Sequence, residues 1–176
     1  MSADSRQATD DYSRGRFGPR SGIPAARALR GALALAAVIG AALLVVATFT
    51  TIIEITVGGT TKLAAGDTHL SGWDRHGPAL LIIALFAGVM IPGALRGARP
   101  ATAALVVCGL ATLLISLVWD LPDIHDTGLF GQLYADASAA PHIGYYAETL
   151  GGILLLAAGG GMLLIPRARS RQGPSR

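Results

Sequence analysis

Four stretches of this chain carry no acidic, basic or histidine side chain. None of Asp, Glu, Lys, Arg or His falls between Arg30 and Glu54, between His76 and Arg96, between Arg99 and Asp120, or between Glu148 and Arg167. A bilayer core takes roughly 20 apolar residues of helix at 1.5 Å per residue, and water-soluble core helices rarely run that far without a charge. The chain is also 52% hydrophobic and only 14% charged, which lies outside the ordinary water-soluble range. The expected fold is an all-α membrane protein, a four-transmembrane-helix bundle with spans at about 26–55, 78–95, 100–119 and 148–166. A polar, basic N-terminal tail (1–25) and a basic C-terminal tail (167–176) flank it, both read as cytoplasmic. The N-terminal tail has too few large apolar residues to fold alone.

Charge gives the orientation separately. Of the 14 basic residues, all but Lys62 and Arg75 lie in the N-terminal tail and first-span entry, the Arg96–Arg99 turn and the C-terminal tail. Those segments share one side of a four-span topology, and basic residues accumulate on the cytoplasmic side. The other side holds all four histidines and eight of the 11 acidic residues. The basic balance is therefore topogenic, and no nucleic-acid partner is expected. The expected partners are the lipid bilayer of the cell membrane and either a second copy of the chain or another membrane protein. No cofactor is expected.

A basic leader followed by an apolar run and Val45-Val46-Ala47 imitates a signal peptide with its cleavage site. The apolar run continues through Phe49, Ile52 and Ile53, past the length of such a leader, so it reads as a first span ending near Ile55. In lipid, helices associate through small residues that let backbones approach. Gly151, Gly152, Gly159, Gly160 and Gly161 give the fourth span such a face, and Gly160→Leu is the substitution expected to disturb it. Cys108, the lone cysteine, excludes a disulfide within the chain.

Chemistry is confined to the outer segments. Glu54 is placed at the outer end of the first span, Asp74 and His76 before the second, Asp120 at the end of the third and Glu148 at the start of the fourth. Asp123, His125 and Asp126 add a D-x-x-D-x-H-D run. Four packed helices bring such ends together, so these eight residues form a candidate outer rim for protons or a cation. Carboxylates with imidazole are ligands for divalent ions, and the same groups exchange protons. The plain alternative is a solvated acidic loop. From Gly128, Leu129, Phe130, Leu133, Tyr134 and Ala137 recur at helical spacing, which predicts a short amphipathic helix in the second outer loop, closed by Pro141. It would lie on the membrane surface or cover the bundle mouth.

The sequence carries no phosphate-binding loop, no G-x-S-x-G and no H-E-x-x-H. Ser71 beside His69 and His76 is the one conceivable nucleophile–base pair. The expected role is a non-enzymatic accessory, assembly or sensing protein acting through helix contacts and its outer face. A small transporter or channel-like oligomer using Glu54 and the acidic rim is the alternative.

Overall fold

A computed structural model describes residues 22–57, 69–123, 125–127, 132–133 and 135–165. Both tails as predicted, apart from residues 22–25, lie outside the described residues, as do Lys62, Asp67, Leu129, Phe130 and Tyr134. The chain is mostly helical. Three helices are long and apolar enough to cross a membrane: Ala25–Phe49, Arg99–Asp123 and Ile143–Leu164. A further apolar helix, Ala79–Leu95, is shorter.

In chain order the elements are α1 (Gly22–Phe49), β1 (Thr51–Val57), β2 (His69–Ser71), α2 (Gly72–His76), α3 (Ala79–Leu95), α4 (Arg99–Leu114), β3 (Ala137–Pro141) and α5 (Ile143–Leu164). Helix α4 runs on without a break through a π-helical stretch, Ile115–Asp120, and a last turn, Leu121–Asp123. Helix α5 packs along α1 and α4, and α3 packs along the same two helices. The α3–α4 connection is tight because Gly97 takes φ +81 and Pro100 opens α4, where its missing N–H costs nothing.

The packing is small inside and large outside. The main core is built mostly of alanine, with Ala34, Ala37, Ala41, Ala84, Ala87, Ala94, Ala101 and Ala158 around Leu44, Leu105 and Leu155. Leu35, Ile82, Leu85, Val89, Val107 and Leu164 are exposed. In water such a surface would aggregate. In lipid, large apolar groups on the outside cost nothing and small ones at the contacts let helices approach. The apolar helices and this arrangement both suggest a membrane protein.

The first span departs from expectation. The helix stops at Phe49, and the run Thr51–Val57 is a strand. The residues from Thr50 to Val57 are β-branched except for Glu54, which disfavours helix and suits a pleated surface. Strand β1 is the middle of a three-stranded antiparallel sheet ordered β2-β1-β3. A register shift between Thr51 and Ile53 puts consecutive Ile52 and Ile53 both into the interior, as an irregularity in a ladder allows. Ile52, Ile53, Ile55, Ala139 and Tyr145 form a second small core under the sheet.

The predicted amphipathic helix falls partly outside the described residues. Of it, Gln132 and Leu133 are helical, but Ala137, read as its last turn, begins strand β3 instead. Backbone pairing with β1 from Val57↔Ala137 to Ile53↔Pro141 wins there. The Thr56 and Ser138 hydroxyls meet across this ladder at 2.9 Å. Each strand adjoins a helix end, so the sheet ties the end of α1 to the starts of α2 and α5. Gly72 is required at this junction: a Cβ there would collide with the backbone of Ala47, and its N–H bonds Thr50 O at 3.1 Å.

Candidate functional site

The sheet end of the helices gathers a small set of ionisable groups. Ser71 and Asp74 start α2 with a capping box: the Asp74 N–H donates to Ser71 Oγ at 3.2 Å, and Ser71 N–H returns a bond to Asp74 Oδ2 at 3.2 Å. Such reciprocal bonds satisfy amides that a helix start leaves orphaned. The donation from the Ser71 hydroxyl, then that from its backbone, holds the Asp74 carboxyl below its ordinary value. Its contribution to capping is complete above the ordinary carboxylate range and is lost as pH falls through that lowered value. This short, well-capped turn aims the next two side chains, Arg75 and His76, toward α4.

Arg75 bridges two carboxylates of α4. Its Nε donates to Asp120 Oδ1, its Nη2 to Asp123 Oδ2 at 2.7 Å, and Nη2 also reaches Trp119 O at 3.0 Å. Asp120 is fully buried, while Asp123 is half exposed. Burial alone would pull the guanidinium down, but the hydrogen bonds and charges of Asp120 and Asp123 hold it above its ordinary value. The second Asp120 oxygen, Oδ2, lies 3.0 Å from His76 Nε2. Glu148 approaches from α5, with Oε2 at 3.8 Å from the same nitrogen.

Glu148 is the unusual group. Its side chain is fully buried, and neither carboxylate oxygen has a hydrogen-bond partner among the described residues. Buried polar groups are almost always paired, and an exception calls for an explanation. His76, Asp120 and Glu148 each offer one ligand atom, all within 4.8 Å of one another. Among the described residues no other group of three His, Cys, Asp or Glu side chains converges in this way.

Two local features hold this register. Ile115–Asp120 is wound as a π-helix, a winding that recurs at functional sites, and it buries Ser116 and Asp120 while leaving Trp119 exposed. Thr149 Oγ1 donates to Tyr145 O at 2.9 Å, and the Ser116 hydroxyl lies 2.6 Å from that Oγ1. With the Thr149 hydrogen committed, Ser116 is the donor. This α4–α5 contact stands beside Glu148. A cleft of about 480 Å³, lined by Arg75, His76, Ala79, Ile115, Trp119 and Asp123, adjoins the group.

The eight rim residues of the sequence reading do not form one constellation. His76, Asp120 and Glu148 come together, and Arg75 joins Asp123 to them. Glu54 does not belong: it sits on β1, and its Oε2 lies 3.3 Å from Nε2 of His142, a residue outside the rim reading. The cause is the early end of α1, which puts Glu54 in the sheet instead of on a helix tip. Asp74 is committed to its cap. His125 and Asp126 are exposed, and the Asp126 N–H bonds Asp123 O at 3.0 Å. Glu148 lies more than a turn inside α5, because that helix starts at Ile143 and not at Glu148.

Of the five glycines, a Cβ on Gly151 would meet Gly40 O and Leu44, on Gly152 Leu113 and Thr112, on Gly159 Val106 N and Thr102 O, and on Gly161 Leu33. Gly160 meets nothing within 4 Å, so it makes no packing contact within the described residues of this chain. Searched against protein-family models, curated proteins and solved structures, the chain matches none.

Proposed function

We propose that the protein is a four-span, non-enzymatic accessory or sensing protein of the cell membrane, and that its external face takes up a small cation at His76, Asp120 and Glu148. The observation that carries this reading is the fully buried Glu148 carboxylate, without a hydrogen-bond partner among the described residues, beside a buried aspartate and a histidine. In this reading α3 is the fourth span. Its 17 residues meet the lower limit for crossing a bilayer. The arginine distribution favours cytoplasmic termini, with the sheet and its ionisable cluster outside.

A cation bound there touches α2, α4 and α5 at once. It would favour the packed state of these elements over any state in which they separate, by as much as its affinities for the two differ. That coupling from external medium to helix packing is what an accessory or sensing role needs. Transport fits less well, since the main core between the helices is mostly alanine and leucine, and among the described residues the buried acidic or basic side chains are Asp120 and Glu148 alone. A partner, either a second copy or another membrane protein, would read the helix packing.

Two measurements test the reading. Reporters fused after Arg176 are expected to be cytoplasmic, and reporters inserted at Ala64 external; an external C-terminus would overturn the topology. Purified protein in mild detergent is expected to shift its melting temperature with either acid or added cations, read through the fluorescence of Trp119 at the cleft. Glu148→Gln is expected to abolish the shift. Identical responses of parent and variant would make the cluster a fixed ion-pair network and remove the sensing role.

A further inference from the structure

The cation itself can be specified, an inference that rests on the cation-binding reading above. We infer that His76 Nε2, Asp120 Oδ2 and Glu148 Oε2 form a site for one first-row divalent transition cation of the Zn²⁺ or Mn²⁺ class, with the remaining positions filled by water from the adjoining cleft.

Geometry is the first argument. Zn²⁺ binds nitrogen and carboxylate oxygen at about 2.0–2.2 Å, so tetrahedral ligands stand about 3.3–3.6 Å apart. His76 Nε2 lies 3.0 Å from Asp120 Oδ2 and 3.8 Å from Glu148 Oε2. These separations bracket the required edge, and all three ligand atoms lie within 4.8 Å of one another. Seating the ion requires the two carboxylates to close toward that edge length from a separation of at most 4.8 Å.

Charge is the second argument. When all three carboxylates are ionised and His76 is neutral, Asp120, Asp123 and Glu148 outnumber Arg75 by two charges, and one divalent cation cancels that difference. Asp74, the other charge on α2, is engaged in its cap. Arg75 does not occupy the ligand oxygens: it takes Oδ1 of Asp120 and one oxygen of Asp123. Asp120 Oδ2 is left facing His76. A ligating carboxylate held by an outer hydrogen bond is the usual second layer of a metal site.

Donor chemistry is the third. Ca²⁺ takes six to eight oxygens, and Mg²⁺ keeps much of its water and uses carboxylates. One imidazole with two carboxylates suits Zn²⁺ and its first-row neighbours better. Three protein ligands and an adjoining cleft match a site that keeps water in an open position. The buried Glu148 oxygens, without a hydrogen-bond partner among the described residues, adjoin this group and would gain a ligand bond to the ion.

The test is metal binding by the full-length protein in detergent. Equilibrium dialysis against Zn²⁺, Mn²⁺, Mg²⁺ or Ca²⁺ is expected to leave one equivalent of Zn²⁺ or Mn²⁺ and no Mg²⁺ or Ca²⁺. Added Co²⁺ is expected to develop visible absorption bands of low-coordinate nitrogen–oxygen ligation. Glu148→Gln and His76→Gln are each expected to weaken binding by about 100-fold or more, since losing even an outer-layer partner costs 10–100-fold. Glu54→Gln, altered at the separate His142 pair, is expected to bind like the parent. If the ligand variants do not fold, the parent's stoichiometry and Co²⁺ spectrum still decide. A parent that retains no transition metal overturns the site. If that same parent still melts differently between acid and neutral pH in a Glu148-dependent way, the cation-responsive reading survives with the proton as its ligand. If it responds to neither, both fall.

Discussion

Replacing Arg75 by methionine is expected to destabilise the protein by about 3–5 kcal/mol, the cost of breaking a buried ion pair by removing one partner. The methionine keeps much of the side chain's length and apolar stem, so the loss is one of charge and hydrogen bonds. Asp120 would be left fully buried beside Glu148 with its guanidinium partner gone. Adding Asp120→Asn to Arg75→Met is expected to restore part of the loss, because the second change removes the stranded charge. Asp123→Asn alone is expected to cost at most about 1 kcal/mol, since its half-exposed carboxylate is well solvated. Thermal unfolding in one detergent at one pH ranks the four proteins. If Arg75→Met melts like the parent, Asp120 is reached by water and the ion pair is not the clasp between α2 and α4. Zn²⁺ added to the Arg75→Met protein supplies a further comparison, because the ion would compensate the same carboxylate from its other oxygen.

Much of the architecture was legible in the sequence because its physical cause is local. Charge-free runs of bilayer length mark apolar helices, and three are long enough to cross a membrane. Pro78 before α3 and Pro100 at the start of α4 act through their own backbone geometry, so their placement follows from the residues alone. The sheet was not legible. Thr51–Val57 is apolar enough to extend the preceding helix, and hydropathy cannot tell such a continuation from a strand. The β-branched run was the available signal, but it gains its ladder only from His69–Ser71 and Ala137–Pro141, which are distant in sequence. Ala137–Pro141, small and unpatterned, has no strand signature of its own. The site divides in the same way. Asp120 and Glu148 could be placed near each other from helix ends, and His76 from its position before α3. The π-helical winding of Ile115–Asp120, the Arg75 bridge and the Glu54–His142 pair depend on which faces meet, and that is a property of packing.

Gly109 makes the same point about packing, and it was not among the glycines that the sequence singled out. A glycine run is conspicuous in a sequence, but whether each member touches a neighbour depends on the helix phase. A Cβ on Gly109 would collide with Leu156 N and stand 2.8 Å from Gly152 O, both on α5, whereas one on Gly160 meets nothing within 4 Å. Backbone cannot move aside as a flexible side chain can, so α4 and α5 must separate to admit even a methyl group. Overpacking of this kind typically costs about 1–3 kcal/mol, more than the gain of about 1 kcal/mol that alanine offers a helix over glycine. Gly109→Ala is therefore expected to destabilise the protein, and Gly109→Leu to lower its abundance in membranes severely. Gly160→Leu is expected to leave abundance and thermal stability near the parent's. The two leucine variants add the same apolar side chain to the same kind of helix, so a difference between them isolates helix contact from hydrophobicity. Equal behaviour would mean that α4 and α5 are not in contact at Gly109. Because Ser116 and Thr149 bond across the same helix pair nearer the ionisable cluster, forcing the pair apart at Gly109 is also expected to weaken metal retention in whatever protein folds. A Gly109→Ala protein that is less stable yet binds Zn²⁺ as tightly as the parent would show that the site holds its geometry independently of the packing below it.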